Sequence, residues 1–434
     1  MDSGKRKTGK YSFKDPKIDE LISLIPEIEC PADFRKKYGS IIPLMKLKMK
    51  EGILSTLVQF YDLMYHCFTF PDYQLMPTLE EYSYLLDLPV TDRVPFTGLE
   101  GEPKPHEIAA LIHLGKSEVE AHMTTKGGIR GLPAQFLLEK ARYFSRMKST
   151  IAFEAIFALL AYGLFLFPNV DKFVDINAIR IFMIGNPVPT LLGDAYYSVH
   201  LRSSYHGGMI ICCTPLLYRW FISHMPQSDA FWDVKKEPRW APKIMALTHS
   251  DIDWYHRAYQ DVEIIDSCGS FPNVPLLGTK GGINYNPVLA RRQLGYPMRD
   301  KPNSIHLSSF FLKEGEDHRE AREQIAKAWR HIHKKSRKDL GPRGAVSLEP
   351  YLQWVRSRAI QLKMSYSREA PMPDLFVKTT PPLLDDLEEL QLALVRMQQE
   401  RDAWKNKFQT LESSYKVDLK EKEDLIEIVE SRAV

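Results

Sequence analysis

Apolar side chains recur at three- and four-residue spacing along most of the chain from Ile18 onward, a pattern typical of helices that bury one face. One such stripe lies in residues 53–66. Further helices are predicted over residues 134–148, 151–167, 174–183, 190–202, 209–224, 250–260, 315–338 and 348–364. Few segments alternate apolar and polar residues with period two, so we predict a mainly α fold with one large helical globular domain.

Local signals place some boundaries of this domain. Thr78 followed by Glu81 is the pattern of a capping box, in which the side chain of each residue accepts a hydrogen bond from the backbone N–H of the other. Residues 269–303 are rich in proline and glycine and are predicted to be an irregular connection. Residues 365–382 carry four prolines and are predicted to be a linker.

The C-terminal segment has the most regular spacing in the chain. With Leu387 at position a, 11 of the 14 a and d positions between residues 383 and 429 are apolar, which predicts a coiled coil over residues 383–430. The candidate oligomerisation residues are Leu387, Leu390, Leu394, Met397, Trp404, Phe408 and Leu411. The acidic coil either joins separate chains or folds back on the more basic body.

The charged residues form two local basic segments, whereas the net charge of the whole chain is small. The 434 residues contain 58 Lys and Arg against 55 Asp and Glu, a net charge of +3 that indicates no class of partner. Residues 1–17 hold six basic and two acidic residues and are predicted to be a flexible basic arm. Lys327 to Lys338, inside the predicted helix 315–338, holds six basic residues and no acid. The candidate nucleic-acid-binding residues are Lys327, Arg330, Lys334, Lys335, Arg337 and Lys338.

Both basic segments have plainer interpretations. The arm is a nuclear address, a nucleic-acid contact or a solvated terminus, and the basic helix is a phosphate-binding face, an import signal or a solvated face. The resulting domain organisation is a basic arm (1–17), a helical domain (18–364), a Pro-rich linker (365–382) and a coiled coil (383–430).

Cysteine content and hydropathy bear on the compartment. Five cysteines without a Cys-x-x-Cys motif favour a reduced intracellular setting, and the basic N-terminus lacks the apolar stretch of a signal peptide. The two most apolar runs, 151–167 and 207–225, are short or interrupted by charge, so we predict buried core helices and no membrane association. The predicted location is the nucleus, with the cytoplasm as the alternative.

Signatures of catalysis are weak throughout the sequence. Gly115-Lys116-Ser117 ends like a phosphate-binding loop, but Ala110 stands where that loop needs glycine. The histidines lack the paired spacing of zinc sites. We therefore predict no catalytic residues, no metal and no cofactor. Thr-Lys-Gly-Gly-Ile occurs twice, at 125–129 and 279–283, and indicates either two anion-binding turns or two ordinary turns.

Several long strings point to a family. CFTFPDYQLMPTLEEYSYLLDLPV (67–90), NPVPTLLGDAYYSVHLR (186–202) and KAWRHIHKKSRKDLGPRG (327–344) are among them. Over about residues 18–364 the chain resembles a plant family of unknown function related to the plant mobile domain, which occurs in transposable elements and host genes derived from them. The resemblance implies a helical domain of mobile-element descent and carries over no catalytic residues.

These observations favour a non-enzymatic protein that acts with nucleic acid or chromatin and assembles through its coil. One alternative is a protein-binding adaptor or oligomerisation module without nucleic-acid contact. A second alternative is a cryptic transposase or nuclease remnant, which would need a cleft of converging carboxylates.

Overall fold

The computed structural model of the chain describes residues 6–91, 93–233, 240–256, 259 and 262–363. Seventeen α-helices lie in these ranges. They are α1 (Asp19–Ile22), α2 (Pro31–Tyr38), α3 (Ile41–Met45), α4 (Ile53–Val58), α5 (Leu79–Leu86), α6 (Pro105–Leu111), α7 (Lys116–His122), α8 (Ala134–Arg146), α9 (Thr150–Ala161), α10 (Ile176–Ile184), α11 (Val188–Ser204), α12 (Thr214–Ser223), α13 (Asp229–Trp232), α14 (Trp240–Ala246), α15 (Arg319–Ala328), α16 (Arg337–Leu340) and α17 (Glu349–Gln361). A π-helical turn, Tyr162–Leu166, continues α9.

Thirteen strands lie in the same ranges and form five small sheets. They are β1 (Lys10–Phe13), β2 (Tyr61–Asp62), β3 (Cys67–Thr69), β4 (Gln74–Leu75), β5 (Thr124–Lys126), β6 (Ile129–Pro133), β7 (Phe173–Asp175), β8 (Gly207–Ile210), β9 (Ile264–Cys268), β10 (Val274–Leu277), β11 (Gly282–Tyr285), β12 (Phe311–Leu312) and β13 (Ile332–Lys335). The sheets are β1-β8, β2-β3-β4, β5-β6-β7, β10-β11-β12 and β13-β9. The β1-β8 pair is parallel and the pairs in the other four sheets are antiparallel.

The prediction of a mainly α fold is wrong, because strands are distributed through the whole domain. Two properties of these strands explain why the sequence pattern did not predict them. Three strands, β2, β4 and β12, have only two residues each. Three others, β3, β10 and β11, are buried at every position, and strands buried on both faces do not alternate apolar with polar residues. Two of the latter occupy the stretch 269–303 that was predicted to be irregular.

Several individual helices are confirmed. Helices α8, α10, α11 and α17 lie where the spacing predicts them. Every residue from 152 to 168 is buried, so the apolar run 151–167 forms core, as predicted. Helix α11 packs against β8, β10, β11 and α5 and thereby joins three parts of the domain. Within the described residues no helix combines the length and apolar character that crossing a membrane requires.

The prediction of one long basic helix over residues 315–338 is also wrong. Helix α15 ends at Ala328, where Trp329 is buried and donates its indole N–H to the carbonyl oxygen of Pro275 at 2.8 Å. After Trp329 the chain leaves the helix, and residues 332–335 pair with the edge of β9 as strand β13. The basic residues therefore do not share one helical face. The helix predicted over 250–260 is likewise not formed in residues 250–256.

The basic arm is ordered over much of its length. Residues 10–13 form β1, whose register pairs Lys10 with Gly207 and Phe13 with Ile210. Beyond the strand, the amide of Lys14 donates to the carbonyl oxygen of Ile210 at 2.9 Å. The prediction of a flexible arm is therefore corrected for these residues, because the edge of β8 supplies backbone partners that the sequence did not reveal.

A buried charged network holds the first turn of α5. The capping box between Thr78 and Glu81 is confirmed. Glu81 Oε2 accepts from the indole of Trp220 at 2.9 Å, and Oε1 accepts from the side-chain amide of Gln293 at 2.9 Å and lies 2.8 Å from His224 Nε2. All these side chains are buried. Glu81 thus connects α5, α12 and the segment after β11.

His224 completes the network. Its Nδ1 lies 2.8 Å from the carbonyl oxygen of Asp253, so both ring nitrogens face oxygen acceptors. Burial by itself would lower the pKa of His224, but the charge and hydrogen bond of Glu81 outweigh it and the pKa is raised. The imidazolium form is thereby favoured beside the carboxylate.

A second buried ion pair fastens α17 to the sheet β2-β3-β4. Arg358 Nε and Nη2 donate to the two carboxylate oxygens of Asp62 at 2.7 and 2.8 Å. Asp62 is fully buried and Arg358 is 13% exposed. The hydrogen bonds to Asp62 raise the pKa of Arg358. The end of the domain is therefore tied to residues almost 300 positions earlier.

The predicted linker (365–382) and coiled coil (383–430) lie outside the described residues. The candidate oligomerisation residues Leu387 to Leu411 lie there as well.

Candidate functional site

Lysines from separate parts of the chain converge on the connection between α9 and β7. They follow β1, end β5, precede β7, or lie in the turn between β10 and β11. We call this set the lysine surface; it consists of Lys14, Lys17, Lys126, Lys172 and Lys280.

Contacts around Asp171 bring four of these lysines together. The ammonium of Lys14 forms an ion pair with the Asp171 carboxylate. Lys126 Nζ donates to the carbonyl oxygen of Asp171 at 2.7 Å. Lys14, Lys17 and Lys172 line the same surface depression as Asp171. Two of these lysines therefore contact Asp171 directly, and two more line the depression beside it.

Lys280 is placed by its neighbour Thr279. The Thr279 hydroxyl lies 3.1 Å from the Asp194 carboxylate and 3.3 Å from Asn169 Oδ1, and the Thr279 amide donates to Asp194 Oδ1 at 2.7 Å. Asn169 is two residues from Asp171, so this turn lies beside the connection that the other lysines surround. Asp194, on α11, is the buried anchor of the turn.

The two Lys-Gly-Gly turns need glycine for different reasons. Gly127 and Gly128 join β5 to β6 with φ values of 60° and 80°, which favour glycine in a two-residue hairpin turn. In the second turn, side chains at Gly278 and Gly281 would collide with Asp194 and with the ring of Tyr197. The repeated sequence therefore forms two different turns, each of which presents a lysine beside the same connection.

Most of the charged side chains at this surface are lysines, and they affect the pKa values of the nearby aspartates. The hydrogen bond from Lys14, with the charges of Lys17 and Lys126, lowers the pKa of Asp171. Burial raises the pKa of Asp175, although hydrogen bonds from its neighbours oppose the shift. Burial also raises the pKa of Asp194 to about 7, against hydrogen bonds from Thr279 and the charge of Lys280. Of these three carboxylates, Asp175 and Asp194 are buried, and Asp171 is exposed and paired with Lys14.

Asp194 makes the stability of this region depend on pH. An unfolded aspartate titrates near pH 4, whereas Asp194 titrates at about 7 in the fold. Between these values the folded state holds a proton that the unfolded state has lost, so the free energy of unfolding falls as pH rises. The free energy of unfolding is measured by urea denaturation at pH 5 and at pH 7. We expect its decrease between these two pH values to be larger in wild type than in Asp194→Asn, by on the order of 2 kcal/mol. Equal pH dependence in the two proteins would contradict this assignment.

The basic residues predicted from the sequence lie elsewhere and are spread over three elements. Lys327 is near the end of α15, Arg330 follows it, Lys334 and Lys335 are on β13, and Arg337 and Lys338 are on α16. Lys335 Nζ lies 2.7 Å from Asp266, which also binds Arg291. Lys334 lines a pocket together with Glu80 and Glu263. Two of the six predicted residues are therefore close to carboxylates.

The lysine surface was missed as a unit, although the sequence held two signals for it. Lys14 and Lys17 belong to the basic arm, and Lys126 and Lys280 belong to the repeated Lys-Gly-Gly turns. Neither signal indicates that the arm and the turns meet. Lys172 had no sequence signal.

Two further features concern the possible metal ligands and the adjacent cysteines of the described residues. Among them, no three His, Cys, Asp or Glu side chains are grouped as metal ligands. Cys212 and Cys213 are buried, as expected for small apolar side chains, and burial raises their thiol pKa values.

Comparison with known proteins places the chain in a family. Residues 19–360 match the family model described as a domain of unknown function, DUF7745. The match covers well over half of the chain. No curated protein and no solved structure matches it.

Proposed function

Because the chain belongs to the DUF7745 family, whose description assigns no activity, we propose from its own surface that the domain binds nucleic acid through the lysine surface. The convergence of the arm and both Lys-Gly-Gly turns on the connection between α9 and β7 is the observation that carries this proposal. The proposed role is binding without catalysis.

The chemistry of the surface favours a polyanion. An ammonium group is a compact point charge that contacts phosphate without reading a base, so a cluster of lysines gives affinity with little sequence preference. The groups come from well-separated parts of the chain and are positioned by strands and anchored turns, which holds their spacing. A phosphate backbone offers repeated charges that several ammonium groups can contact together.

Neutralising the lysine surface should weaken DNA binding and its salt dependence. In the full-length chain, Lys17, Lys126, Lys172 and Lys280 would be changed together to glutamine, leaving the Lys14–Asp171 pair intact. Each lost phosphate contact reduces the magnitude of the negative slope of log K against log salt by about 0.9, so the four substitutions should reduce it by about 3.6. Affinity at 0.1 M salt should fall on the order of 100-fold, measured by fluorescence anisotropy with duplex DNA of random sequence.

The matched control removes four charges from the segment that the sequence predicted. Lys327, Arg330, Arg337 and Lys338 would be changed to glutamine, giving the same change in net charge. We expect this variant to bind within about threefold of wild type. Loss of binding in the control but not in the first variant would move the interface to β13 and α16. No binding by wild type at low salt would contradict the proposal and favour an adaptor role through protein partners.

We further propose a nuclear location, descent from a mobile element and assembly through the C-terminal coil. The resemblance to the plant mobile domain supports the descent, and the heptad spacing of residues 383–430 supports the assembly. The basic composition of residues 1–17 supports the location.

A further inference from the structure

A pocket of about 370 Å³ opens between α5, the segment before β9, and β13. Its walls are mostly apolar and aromatic, and the side chains that form them include Leu88, Val90, Tyr259, Val262 and Ile265. Its volume is within the range of pockets that bind small organic molecules. The pocket is separate from the lysine surface and shares no residue with it.

A buried carboxyl group with one unused oxygen lies at this pocket. Glu80 is 6% exposed, and its Oε1 accepts from the amide of Ile265 at 2.8 Å. Its Oε2 is buried and accepts no well-formed hydrogen bond from the described residues, and the Thr78 side chain lies close enough to lower the pKa of the carboxyl group. A buried polar atom without a well-formed hydrogen bond is unfavourable, so a ligand that donates a hydrogen bond to this oxygen would be stabilised.

The charges around the pocket favour a cation. The pocket is lined by three carboxylates, Glu80, Asp87 and Glu263, and one ammonium, Lys334. Asp87 is already paired with Arg35 at 2.7 Å, outside the pocket. The aromatic rings of Tyr84 and Tyr259 lie 5.3 Å apart and can contact a positive group through their faces.

We propose that this pocket binds a protonated primary amine carried on a short apolar stem, with the ammonium beside Glu80 and the stem against the apolar wall. A single free carboxylate oxygen suits one ammonium N–H, whereas a guanidinium prefers two parallel oxygens. The amine belongs either to a free small molecule or to a lysine side chain of another protein. This inference does not depend on nucleic-acid binding.

The ionisation of Glu80 gives the proposal a pH signature. Burial raises the pKa of Glu80 to about 7, against the hydrogen bond from the Ile265 amide. The charged and titratable groups around it are Glu81 and Tyr84 on α5, Asp87 directly after α5, Tyr259 and Glu263 before β9, Tyr285 on β11 and Lys334 on β13. A bound ammonium favours ionised Glu80, so binding releases a proton and strengthens as pH rises. Between pH 6 and pH 8 the affinity should increase about tenfold.

Calorimetric titration of the full-length chain with benzylamine tests the inference, and benzyl alcohol serves as the neutral probe of the same shape. We expect benzylamine to bind at least tenfold more tightly than benzyl alcohol at pH 8, and about tenfold more weakly at pH 6 than at pH 8. Glu80→Gln should remove most of this affinity and its pH dependence. Glu120→Gln, which removes a charge from the exposed face of α7, should leave both unchanged.

A parallel titration with N-acetyl-lysine methylamide distinguishes the two sources of the amine. Tighter binding of benzylamine supports a free small amine, and tighter binding of the lysine derivative supports a side chain of a partner. Equal binding of benzylamine and benzyl alcohol, or a wild-type affinity that does not change between pH 6 and pH 8, would overturn the inference. The pH result is measured on wild type and therefore does not depend on the folding of a variant.

Discussion

Replacing Glu81 with alanine is expected to lower the free energy of unfolding by about 4 kcal/mol, measured by urea denaturation at pH 7. The change removes the acceptor of the Trp220 indole, the Gln293 amide and the His224 ring, all of which are buried. Each buried donor left unpaired is unfavourable by about 1–3 kcal/mol, and the buried imidazolium also loses its counter-charge.

The control for this prediction is Glu120→Ala, an exposed glutamate on another helix, which should change stability by less than about 0.5 kcal/mol. A loss below about 1 kcal/mol for Glu81→Ala would show that water enters and replaces the carboxylate. In that case the network would not be the element that holds α5 to α12.

Replacing Asp62 with alanine should lower the free energy of unfolding by about 3 kcal/mol, because it leaves the Arg358 guanidinium without its buried partner. Arg358 is slightly exposed, so water can hydrate its guanidinium once Asp62 is removed. We therefore expect the loss of free energy of unfolding to lie at the lower end of the range for broken buried ion pairs. Urea denaturation measures the loss. Amide hydrogen exchange should show faster exchange in α17, which this pair ties to β2.

Arg356→Ala is the matched control on the same helix. Arg356 pairs with Asp72 at 2.6 Å and with Glu349 at 2.9 Å, but it is 42% exposed, and Asp72 also accepts from the amide of His249. Its removal should lower stability by less than about 1 kcal/mol. Equal losses for the two variants would mean that burial does not decide the strength of these pairs.

Local features of the fold were predictable from the sequence where one short segment contains the whole signal. The helix spacing of residues 134–148 and the capping box at Thr78 depend on neighbours within four positions, and both are confirmed. The buried run 151–167 was predictable for the same reason, since a continuous apolar segment has no exposed face.

Features that depend on distant partners were not predictable. The stretch around Lys334 was predicted as helix because its composition is compatible with one, but the edge of β9 and the anchoring of Trp329 decide its structure. Strand β1 forms for a similar reason, since its partner lies almost 200 residues away. Tertiary context overrides local preference in both cases.

The candidate site shows the same division. The sequence identified Lys14, Lys17, Lys126 and Lys280 as members of basic or glycine-rich motifs, but their convergence on the connection between α9 and β7 depends on long-range contacts. Glu80 had no signal beyond its place in the first turn of a capped helix. Its burial and its unused oxygen follow from the packing of β9 against α5.

Chemical footprinting of lysines tests the central claim most directly. The full-length chain would be treated with a lysine-acetylating reagent at low salt, with and without duplex DNA of random sequence, and the modified residues measured by mass spectrometry. The account predicts that DNA protects Lys17, Lys126, Lys172 and Lys280, that 0.5 M salt removes the protection, and that Lys327 and Lys338 react equally in both samples. Equal modification of the first four lysines with and without bound DNA would contradict it.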